Sequence, residues 1–150
     1  MIYSSACEYG IRAATYLAAR HGEPDLVKLR DISENEGIPA PFLSSILQRL
    51  VSAGILRSAR GPTGGYALSV PPQQVTLRDV KAALDGVGEL EKCAVGLGTC
   101  SDDQPCPLHD SWKPIREEIN RYLERTTLAE MAGAIASRNG DPTSQTRPTS

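Results

Sequence analysis

Aromatic side chains are scarce in this sequence, and long apolar segments are absent from it. Phe, Trp and Tyr make up 5% of 150 residues, so the core of a single domain of this length must consist mainly of Leu, Ile, Val and Ala. No apolar run approaches the roughly 20 residues of a membrane-spanning helix. The first residues also lack the basic and apolar regions of a signal peptide. We therefore expect a cytoplasmic protein without a membrane partner.

Acidic residues are missing from one continuous part of the chain, residues 37–78, although the net charge is −2. The charged residues within this part are Arg49, Arg57, Arg60 and Arg78. A basic surface on an otherwise acidic protein is typical of a nucleic-acid contact. An ordinary solvated surface is the alternative interpretation.

The spacing of apolar residues predicts a mainly α fold. A first helix covers residues 5–20, where Ser5 and Glu8 have the spacing of a capping box. A second helix covers residues 28–36, and a third covers residues 40–52. The third is the clearest, because its apolar positions follow the helical pattern without interruption: Leu43, Ile46, Leu47, Leu50 and Val51.

A helix-turn-helix followed by a β-hairpin is predicted for residues 1–85. The tight turn at residues 37–39 joins the second helix to the third. A strand over residues 56–59 and a strand over residues 66–70 flank a glycine-rich turn. This order of elements is that of a winged helix-turn-helix, in which the hairpin is the wing.

A capped helix and a cysteine-rich loop follow the predicted wing. The helix covers residues 76–85 and begins with Thr76 and Asp79 in capping spacing. The loop covers residues 86–108. Residues 137–150 are predicted to form a disordered tail, because they are polar and contain two prolines.

Between the loop and the tail, residues 109–136 are predicted to form a long dimerisation helix and a short terminal helix. The long helix covers residues 110–125, and Thr127 with Glu130 caps the short one, which ends near Ala136. Apolar residues of the long helix recur three and four positions apart, which predicts a seam that packs on the domain or on a second copy. The seam consists of Trp112, Ile115, Ile119, Tyr122 and Leu123.

The polar side of the third helix is the predicted DNA-reading surface. Its residues include no acid: Pro41, Ser44, Ser45, Gln48 and Arg49. Ser44, Ser45 and Gln48 are predicted to reach base edges in the major groove, where Gln can pair bidentately with adenine. Arg49 is predicted to contact phosphate. A core helix with a solvated polar side is the alternative.

Residues outside the third helix are predicted to contact the DNA backbone. Arg60 lies at the base of the wing, and Thr63 and Gly64 lie at its tip, where glycine N–H groups can approach phosphates. Lys28 and Arg30 lie near the start of the second helix, and a helix N-terminus favours phosphate.

Cys93, Cys100 and Cys106 lie in one glycine- and proline-rich segment, which offers no periodic apolar face for packing. A disulfide with one spare thiol is disfavoured in a reducing compartment. A zinc site with His109 as fourth ligand and an iron–sulfur cluster both suit these thiols. Spacing alone leaves zinc and the cluster about equally favoured.

The sequence resembles the Rrf2 family of bacterial transcription regulators over residues 1–136. The matching segments are CEYGIRA at residues 7–13, the apolar helix at residues 43–50, SARGPTGGYAL at residues 58–68, and the three cysteines followed by His109 and Trp112. The resemblance implies a homodimer that binds palindromic double-stranded DNA. It also implies that DNA affinity changes with the state of a bound iron–sulfur cluster, of the 4Fe–4S or the 2Fe–2S type.

By this resemblance, the three loop cysteines hold the cluster. The fourth ligand is either Glu8 of the second subunit or His109, and Glu8 is favoured. Cys7 is a third candidate, because a thiol in the first turn of a helix is biased towards thiolate. A small buried apolar role is the alternative for Cys7. Six residues separate the first two loop cysteines, one more than in better-known members, which leaves the type of cluster open.

We therefore predict a DNA-binding transcription repressor whose operator affinity responds to redox state, nitric oxide or iron through the cluster. The alternative is a cluster-free or zinc-stapled winged-helix repressor with redox-active thiols. An electron-transfer role is disfavoured by the complete recognition helix. No enzyme is predicted, because the two His residues are far apart and neither has a Ser or Cys neighbour in a catalytic pattern.

Overall fold

The computed structural model describes residues 2–139, which form a winged helix-turn-helix with a long helix and a terminal helix, as predicted. The elements in chain order are α1 (Ser5–Ala18), α2 (Leu29–Glu36), α3 (Ala40–Ser52), β1 (Leu56–Ala59), β2 (Gly65–Leu68), α4 (Leu77–Leu84), α5 (His109–Arg125) and α6 (Leu128–Asn139). Short 3₁₀ turns occur at Pro72–Gln74 and Gly88–Leu90. No helix within the described residues is long and apolar enough to span a bilayer.

Helix α1 is capped by Ser4, so the predicted capping box of Ser5 and Glu8 is wrong. The Ser4 hydroxyl accepts a hydrogen bond from the N–H of Cys7 at 3.1 Å. Ser4 has the extended backbone conformation that a capping residue needs, whereas Ser5 is already the first helical residue. Gly10 faces α4, where a Cβ atom would collide with the side chain of Leu84. The glycine therefore allows the two helices to pack closely.

The turn between α2 and α3 is fixed by local hydrogen bonds and by a contact with α1. Gly37 ends α2 in the left-handed conformation, with φ of 63°. The hydroxyl of Ser33 donates to the carbonyl oxygen of Ile38 at 2.6 Å. Arg12 of α1 forms an ion pair with Glu36 at 3.4 Å. These contacts hold the helix-turn-helix on α1.

Helix α3 buries the apolar positions that the sequence predicts. Leu43, Ile46, Leu47 and Leu50 are buried in the core, and Val51 is half-buried. They pack with the buried face of α1, including Ala13, Ala14 and Leu17. The opposite side of α3 is therefore left facing solvent.

The wing is a two-stranded antiparallel hairpin, and Val27, two residues before α2, forms an isolated bridge to its second strand. Leu56 pairs with Leu68, and Ala59 pairs with Gly65. Val27 and Tyr66 exchange two main-chain hydrogen bonds of 2.9 and 2.8 Å on the other side of β2. The second strand ends at Leu68, two residues before the predicted end, although the N–H of Ser69 still donates to the oxygen of Ile55 at 3.0 Å.

Helix α4 begins with the predicted capping box. The N–H of Asp79 donates to the Thr76 hydroxyl at 3.2 Å, and the N–H of Thr76 donates to the Asp79 carboxylate at 2.9 Å. Both residues therefore satisfy N–H groups that the first helical turn leaves without partners.

The chain leaves the winged helix along α5 and returns to it through α6. The N–H of Leu77 donates to Thr126 at 2.9 Å, and the N–H of Leu128 donates to Val75 at 2.9 Å. Thr127 caps α6 as predicted, by accepting from the N–H of Glu130 at 3.2 Å. Helix α6 then packs on α1.

Helix α6 extends past its predicted end near Ala136 to Asn139. The hydroxyl of Ser137 donates to the oxygen of Gly133, four residues back, at 3.1 Å. Residues 137–139 are therefore helical, and their assignment to a disordered tail is wrong. The rest of that predicted tail lies outside the described residues.

Candidate nucleic-acid interface and cysteine site

The solvent side of α3 carries the predicted base-reading residues on one surface. Pro41, Ser45 and Gln48 are exposed, and Ser44 is half-buried. Their spacing of three and four positions places them on one helical face, opposite the buried leucines. This surface has hydrogen-bonding groups and no acidic side chain, as a helix that enters the major groove requires.

Phe42 is a further exposed residue on α3, which the sequence reasoning did not include. Its side chain is 65% exposed, although a Phe within an apolar segment is normally expected to be buried. The sequence could have indicated this exposure, because Phe42 precedes the buried helical pattern that begins at Leu43 and does not lie on the same face. An exposed aromatic ring beside Pro41 and Ser45 adds an apolar contact to the reading surface.

Arg49 lies on α3 but turns away from the reading surface in this structure. Its guanidinium group donates to the main-chain oxygen of Leu84 and, at 3.4 Å, to that of Ala83. The carbonyl groups at a helix C-terminus lack partners within the helix and attract cations. Arg49 therefore closes the C-terminal end of α4.

The wing presents Arg57, Arg60 and Thr63 to solvent, whereas Gly64 is buried in the turn. The N–H of Gly64 donates to the oxygen of Gly61 at 2.9 Å and closes the hairpin. A Cβ atom on Gly64 would collide with the backbone of Ala59 and Arg60. Gly64 thus shapes the wing that carries the exposed arginines.

Lys28 and Arg30 lie at the N-terminal end of α2, as predicted. Lys28 is the exposed N-cap residue. Arg30 forms an ion pair with Glu34 at 2.9 Å, four residues along the helix, and both side chains are largely exposed. The charge of Arg30 is therefore partly compensated within α2.

The first two loop cysteines directly follow the two residues of a small antiparallel bridge, Lys92 and Thr99. The N–H of Cys93 donates to Gly98 at 2.7 Å, and the N–H of Cys100 donates to Glu91 at 2.8 Å. Nearby backbone N–H groups, chiefly those of Val95 and Leu97, lower the pKa of the Cys93 thiol. Backbone donors of this kind stabilise a thiolate or an anionic sulfide.

The thiols and His109 lie in two pairs. Interaction with the nearby thiol of Cys93 raises the pKa of the Cys106 thiol. The sulfur of Cys100 lies 3.3 Å from Nδ1 of His109. The fold therefore pairs each of the three loop cysteines, and His109 at the start of α5, with another member of the set that the sequence singles out.

His109 is fixed by a carboxylate on the other side of its ring. It is the first residue of α5 and is only 6% exposed. Its Nε2 atom lies 2.8 Å from Oδ1 of Asp102. The ammonium group of Lys113 contacts both oxygens of Asp102, at 2.8 and 2.9 Å. The hydrogen bond from Lys113 is the main reason that the pKa of the Asp102 carboxyl is lowered, and the contact with His109 adds to it.

The donor set fits an iron–sulfur cluster in its chemistry. Three thiols, one imidazole and the N–H groups around Cys93 are the soft ligands and hydrogen-bond donors that such a cluster uses. Within residues 2–139, no group of three or more His, Cys, Asp and Glu side chains already has the arrangement of a metal site. To bind one cluster, the pair of Cys93 and Cys106 and the pair of Cys100 and His109 would have to move closer together.

Glu8 and Cys7, the other predicted ligand candidates, lie on α1. Glu8 is half-buried in the first turn, and no described contact joins it to the three loop cysteines. Cys7 is fully buried, and burial raises the pKa of its thiol to about 12. The expected bias of Cys7 towards thiolate is therefore wrong, because loss of solvent outweighs the effect of the helix N-terminus.

The predicted seam of α5 is divided between the domain and the solvent. Leu123 is buried in the core, and Trp112 and Ile119 are half-buried. Ile115 and Tyr122, seven residues apart, are 54% and 43% exposed. Leu108, seven residues before Ile115, is 46% exposed. An apolar strip with heptad spacing therefore follows the outer side of α5.

Comparisons with known proteins agree with this architecture. The Rrf2 family model, described as an iron-dependent transcriptional regulator, matches residues 3–134. The HTH-type transcriptional regulator IscR of Vibrio campbellii is 33% identical over 131 residues, which cover 87% of this chain and 77% of that protein. The structure of CymR, the global cysteine regulator of B. subtilis, superposes with a TM-score of 0.75 at 27% identity, over 87% of this chain and 95% of that one. The IscR structure from T. potens shares the fold, with a TM-score of 0.67 at 24% identity over 96% of this chain and 91% of that one.

Proposed function

Because the chain belongs to the Rrf2 family of transcription regulators, we propose that it is a cytoplasmic, homodimeric DNA-binding repressor whose operator affinity is controlled by an iron–sulfur cluster. Members of this family regulate transcription and are not enzymes. The observation that carries the proposal is the pairing of Cys100 with His109, 3.3 Å apart, and of Cys93 with Cys106, where the loop meets the start of α5.

In the proposed complex, α3 enters the major groove of the operator. Gln48 pairs with a base, preferably adenine, and Ser44 and Ser45 contact neighbouring base edges. Phe42 packs on a thymine methyl group, the apolar feature of that groove. The exposure of Phe42 and Gln48 and the lack of acidic residues on α3 support this arrangement.

The backbone contacts come from the wing and from the start of α2. Arg60 and Thr63 of the wing contact phosphate or enter the adjacent minor groove, and Lys28 and Arg30 contact phosphate. Arg49 and Gly64 support these contacts from within the fold, because each already uses its hydrogen-bonding group in the protein.

Two copies dock through the outer strip of α5 in this proposal. Pairing of Ile115 and Tyr122 with the same residues of a second copy removes both from water. A twofold dimer presents two α3 helices to two half-sites, which must be spaced by about one helical turn of DNA, ~10 base pairs, for both to dock.

The cluster ligands in this proposal are Cys93, Cys100, Cys106 and His109. His109 is preferred to Glu8 of the second subunit because it is buried and already contacts Cys100 at 3.3 Å. When bound, the cluster supplies an iron centre that reacts with oxidants and nitric oxide and is lost when iron is scarce. The ligands order the loop that joins α4 to α5, so their state sets how the two α3 helices are spaced.

A thiol-based repressor without a cluster is the second candidate. The specific observation that favours it is the interaction of the Cys106 thiol with that of Cys93, whose pKa is lowered by backbone N–H groups. A thiolate next to a second thiol is the usual arrangement of a redox-sensitive pair. A zinc ion held by the same four side chains is the structural variant of this candidate.

Anaerobic purification followed by iron, sulfide and zinc assays tests the main proposal. We expect a brown protein with equal amounts of iron and acid-labile sulfide, and an operator affinity in fluorescence anisotropy that differs between the loaded and the cluster-free protein. The operator is obtained by selection from random duplex DNA. Equal affinities contradict the proposal, and a colourless protein with zinc or with no metal supports the second candidate.

A matched pair of cysteine variants gives the control. Cys100→Ala removes a proposed ligand and should lose the iron. Cys7→Ala removes the buried thiol of α1 and should retain it. Retention of iron by Cys100→Ala, or its loss from Cys7→Ala alone, contradicts the proposed ligand set.

A further inference from the structure

Asp102 connects the imidazole of His109 to the ammonium group of Lys113. One of its oxygens lies 2.8 Å from Nε2 of His109, and both contact Nζ of Lys113 at 2.8 and 2.9 Å. Asp102 belongs to the cysteine-rich loop, whereas His109 and Lys113 lie one turn apart at the start of α5. The carboxylate therefore joins the loop to the helix through two side chains.

This arrangement determines which nitrogen of His109 is available. A carboxylate beside an ammonium group only accepts hydrogen bonds, so an imidazole with one ring hydrogen carries it on Nε2. The lone pair on Nδ1 then points towards the sulfur of Cys100, 3.3 Å away. His109 is only 6% exposed, so little water competes for either nitrogen.

We propose that Asp102 is a positioning residue that presents Nδ1 of His109, rather than Nε2, to the iron–sulfur site, and that Lys113 holds Asp102 in this role. The inference deepens the proposed function and rests on it, because it concerns the fourth ligand of that site. A metal-binding His generally donates its other N–H to a carboxylate, which fixes the tautomer and the ring orientation and raises the basicity of the ligand.

The neighbouring acid provides the matched control. Asp103 is also exposed, and its described hydrogen bond is from its main-chain N–H to the Ser101 hydroxyl. Asp103→Ala removes the same charge from the same loop without touching His109. Asp102→Asn keeps an oxygen that can accept from Nε2–H, and serves as the conservative variant.

The first measurement uses the cluster-free protein and needs no metal. Long-range ¹H–¹⁵N spectra of ¹⁵N-histidine protein report the tautomer of each ring, and the chain contains only His21 and His109. We expect a single Nε2–H tautomer for His109 in wild type and Asp103→Ala, and a mixture of tautomers in Asp102→Ala. Asp102→Asn should restore most of the wild-type pattern. An unchanged His109 tautomer in Asp102→Ala overturns the proposal.

The second measurement uses the loaded protein. Pulsed EPR of the reduced protein should detect one strongly coupled nitrogen in wild type, which His109→Ala removes. Loss of a carboxylate partner of this kind typically lowers metal affinity by about 10- to 100-fold. We therefore expect release of iron to a chelator to be roughly 10-fold faster in Asp102→Ala than in Asp103→Ala. Equal release rates overturn the inference and leave the proposed function intact. A loaded wild type without nitrogen coupling overturns the inference and removes His109 from the proposed ligand set, but leaves cluster-controlled DNA binding standing. A wild type that binds no iron overturns the proposed function, and the inference with it.

Discussion

The guanidinium group of Arg49 on α3 donates a hydrogen bond to the main-chain oxygen of Leu84, the last residue of α4. Two residues further on, the oxygen of Gly86 accepts from the buried ammonium group of Lys81 at 3.2 Å. The helix that carries the reading surface is thus connected to the point where the cysteine-rich loop begins. In the proposed function, a change in the conformation of that loop reaches α3 through the C-terminal end of α4.

Replacing Arg49 tests whether this arginine serves the fold or the DNA. We expect Arg49→Ala to lower the free energy of unfolding by about 1 kcal/mol, because a charged hydrogen bond is lost at a partly exposed site. The dependence of DNA affinity on salt should not change. Urea denaturation and anisotropy at several salt concentrations measure the two quantities.

Arg60→Ala is the matched control, since Arg60 is exposed on the wing. It should leave the stability unchanged and reduce the slope of log affinity against log salt by about 1, the value for one phosphate contact. The reverse pattern, in which Arg49→Ala changes the slope and not the stability, would show that Arg49 leaves α4 to bind phosphate.

Phe42 and Leu43 are neighbours with opposite environments, so their alanine variants separate DNA reading from folding. Phe42 is 65% exposed and Leu43 is fully buried. Phe42→Ala should change stability by less than ~0.5 kcal/mol and weaken operator binding roughly 5-fold, or about 1 kcal/mol. Leu43→Ala should cost ~2–5 kcal/mol of stability. Operator affinity that is unaffected by Phe42→Ala contradicts the thymine contact.

Features that depend on neighbouring residues in the chain were predictable from the sequence. The apolar register of α3, the capping box of Thr76 and Asp79 and the hairpin all follow from local spacing and turn chemistry. The capping residue of α1 was predicted one position late, because Ser4 and Ser5 are both good capping residues. Glu8, three residues after Ser5, completes the spacing of a capping box and therefore favoured Ser5 over Ser4 as the predicted capping residue.

Features that depend on tertiary contacts were not predictable. Nothing near Arg49 in the sequence indicates that its partner is Leu84, 35 residues away. The exposure of Phe42 depends on how α3 is oriented in the core. The clustering of the loop cysteines with His109 was expected from the family resemblance, but the participation of Asp102 was not, because an acid in a polar loop has no distinguishing pattern.

Gly65 is required where β2 approaches Val27, two residues before α2. Its φ is 148°, and a Cβ atom would collide with the main-chain oxygen of Val27. Gly65→Ala should therefore break the pairing of Val27 with Tyr66 and destabilise the protein by more than about 1 kcal/mol. Gly133→Ala, at an open helical position, should be neutral or stabilising by up to ~1 kcal/mol. Chemical denaturation measures both, and equal stabilities contradict the assigned strain.

If the exposed apolar strip of α5 is the dimer interface, a charge placed in it should separate the subunits. Ile115→Asp places a charge in the proposed seam, and burying an unpaired charge is strongly unfavourable. We expect this variant to sediment as a monomer at concentrations where wild type is a dimer, and to bind a palindromic operator at least 10-fold more weakly. Asn120→Asp adds the same charge on another side of α5 and should remain a dimer. Two dimeric variants would place the interface elsewhere.

Cys7 is buried, whereas Cys100 and Cys106 of the loop are half-buried, and this difference predicts its reactivity. It is 0% exposed, and burial raises the pKa of its thiol to about 12. Iodoacetamide at pH 8 should modify the cluster-free native protein at Cys100 and Cys106, and Cys7 only after unfolding in urea. Because the raised pKa favours the folded, protonated form, its stabilising contribution is complete below pH 9 and is lost as the pH rises towards 12. Cys7→Ala should lack this alkaline loss of stability, measured by denaturation at each pH. Rapid labelling of Cys7 in the native protein would contradict its burial and restore it as a ligand candidate.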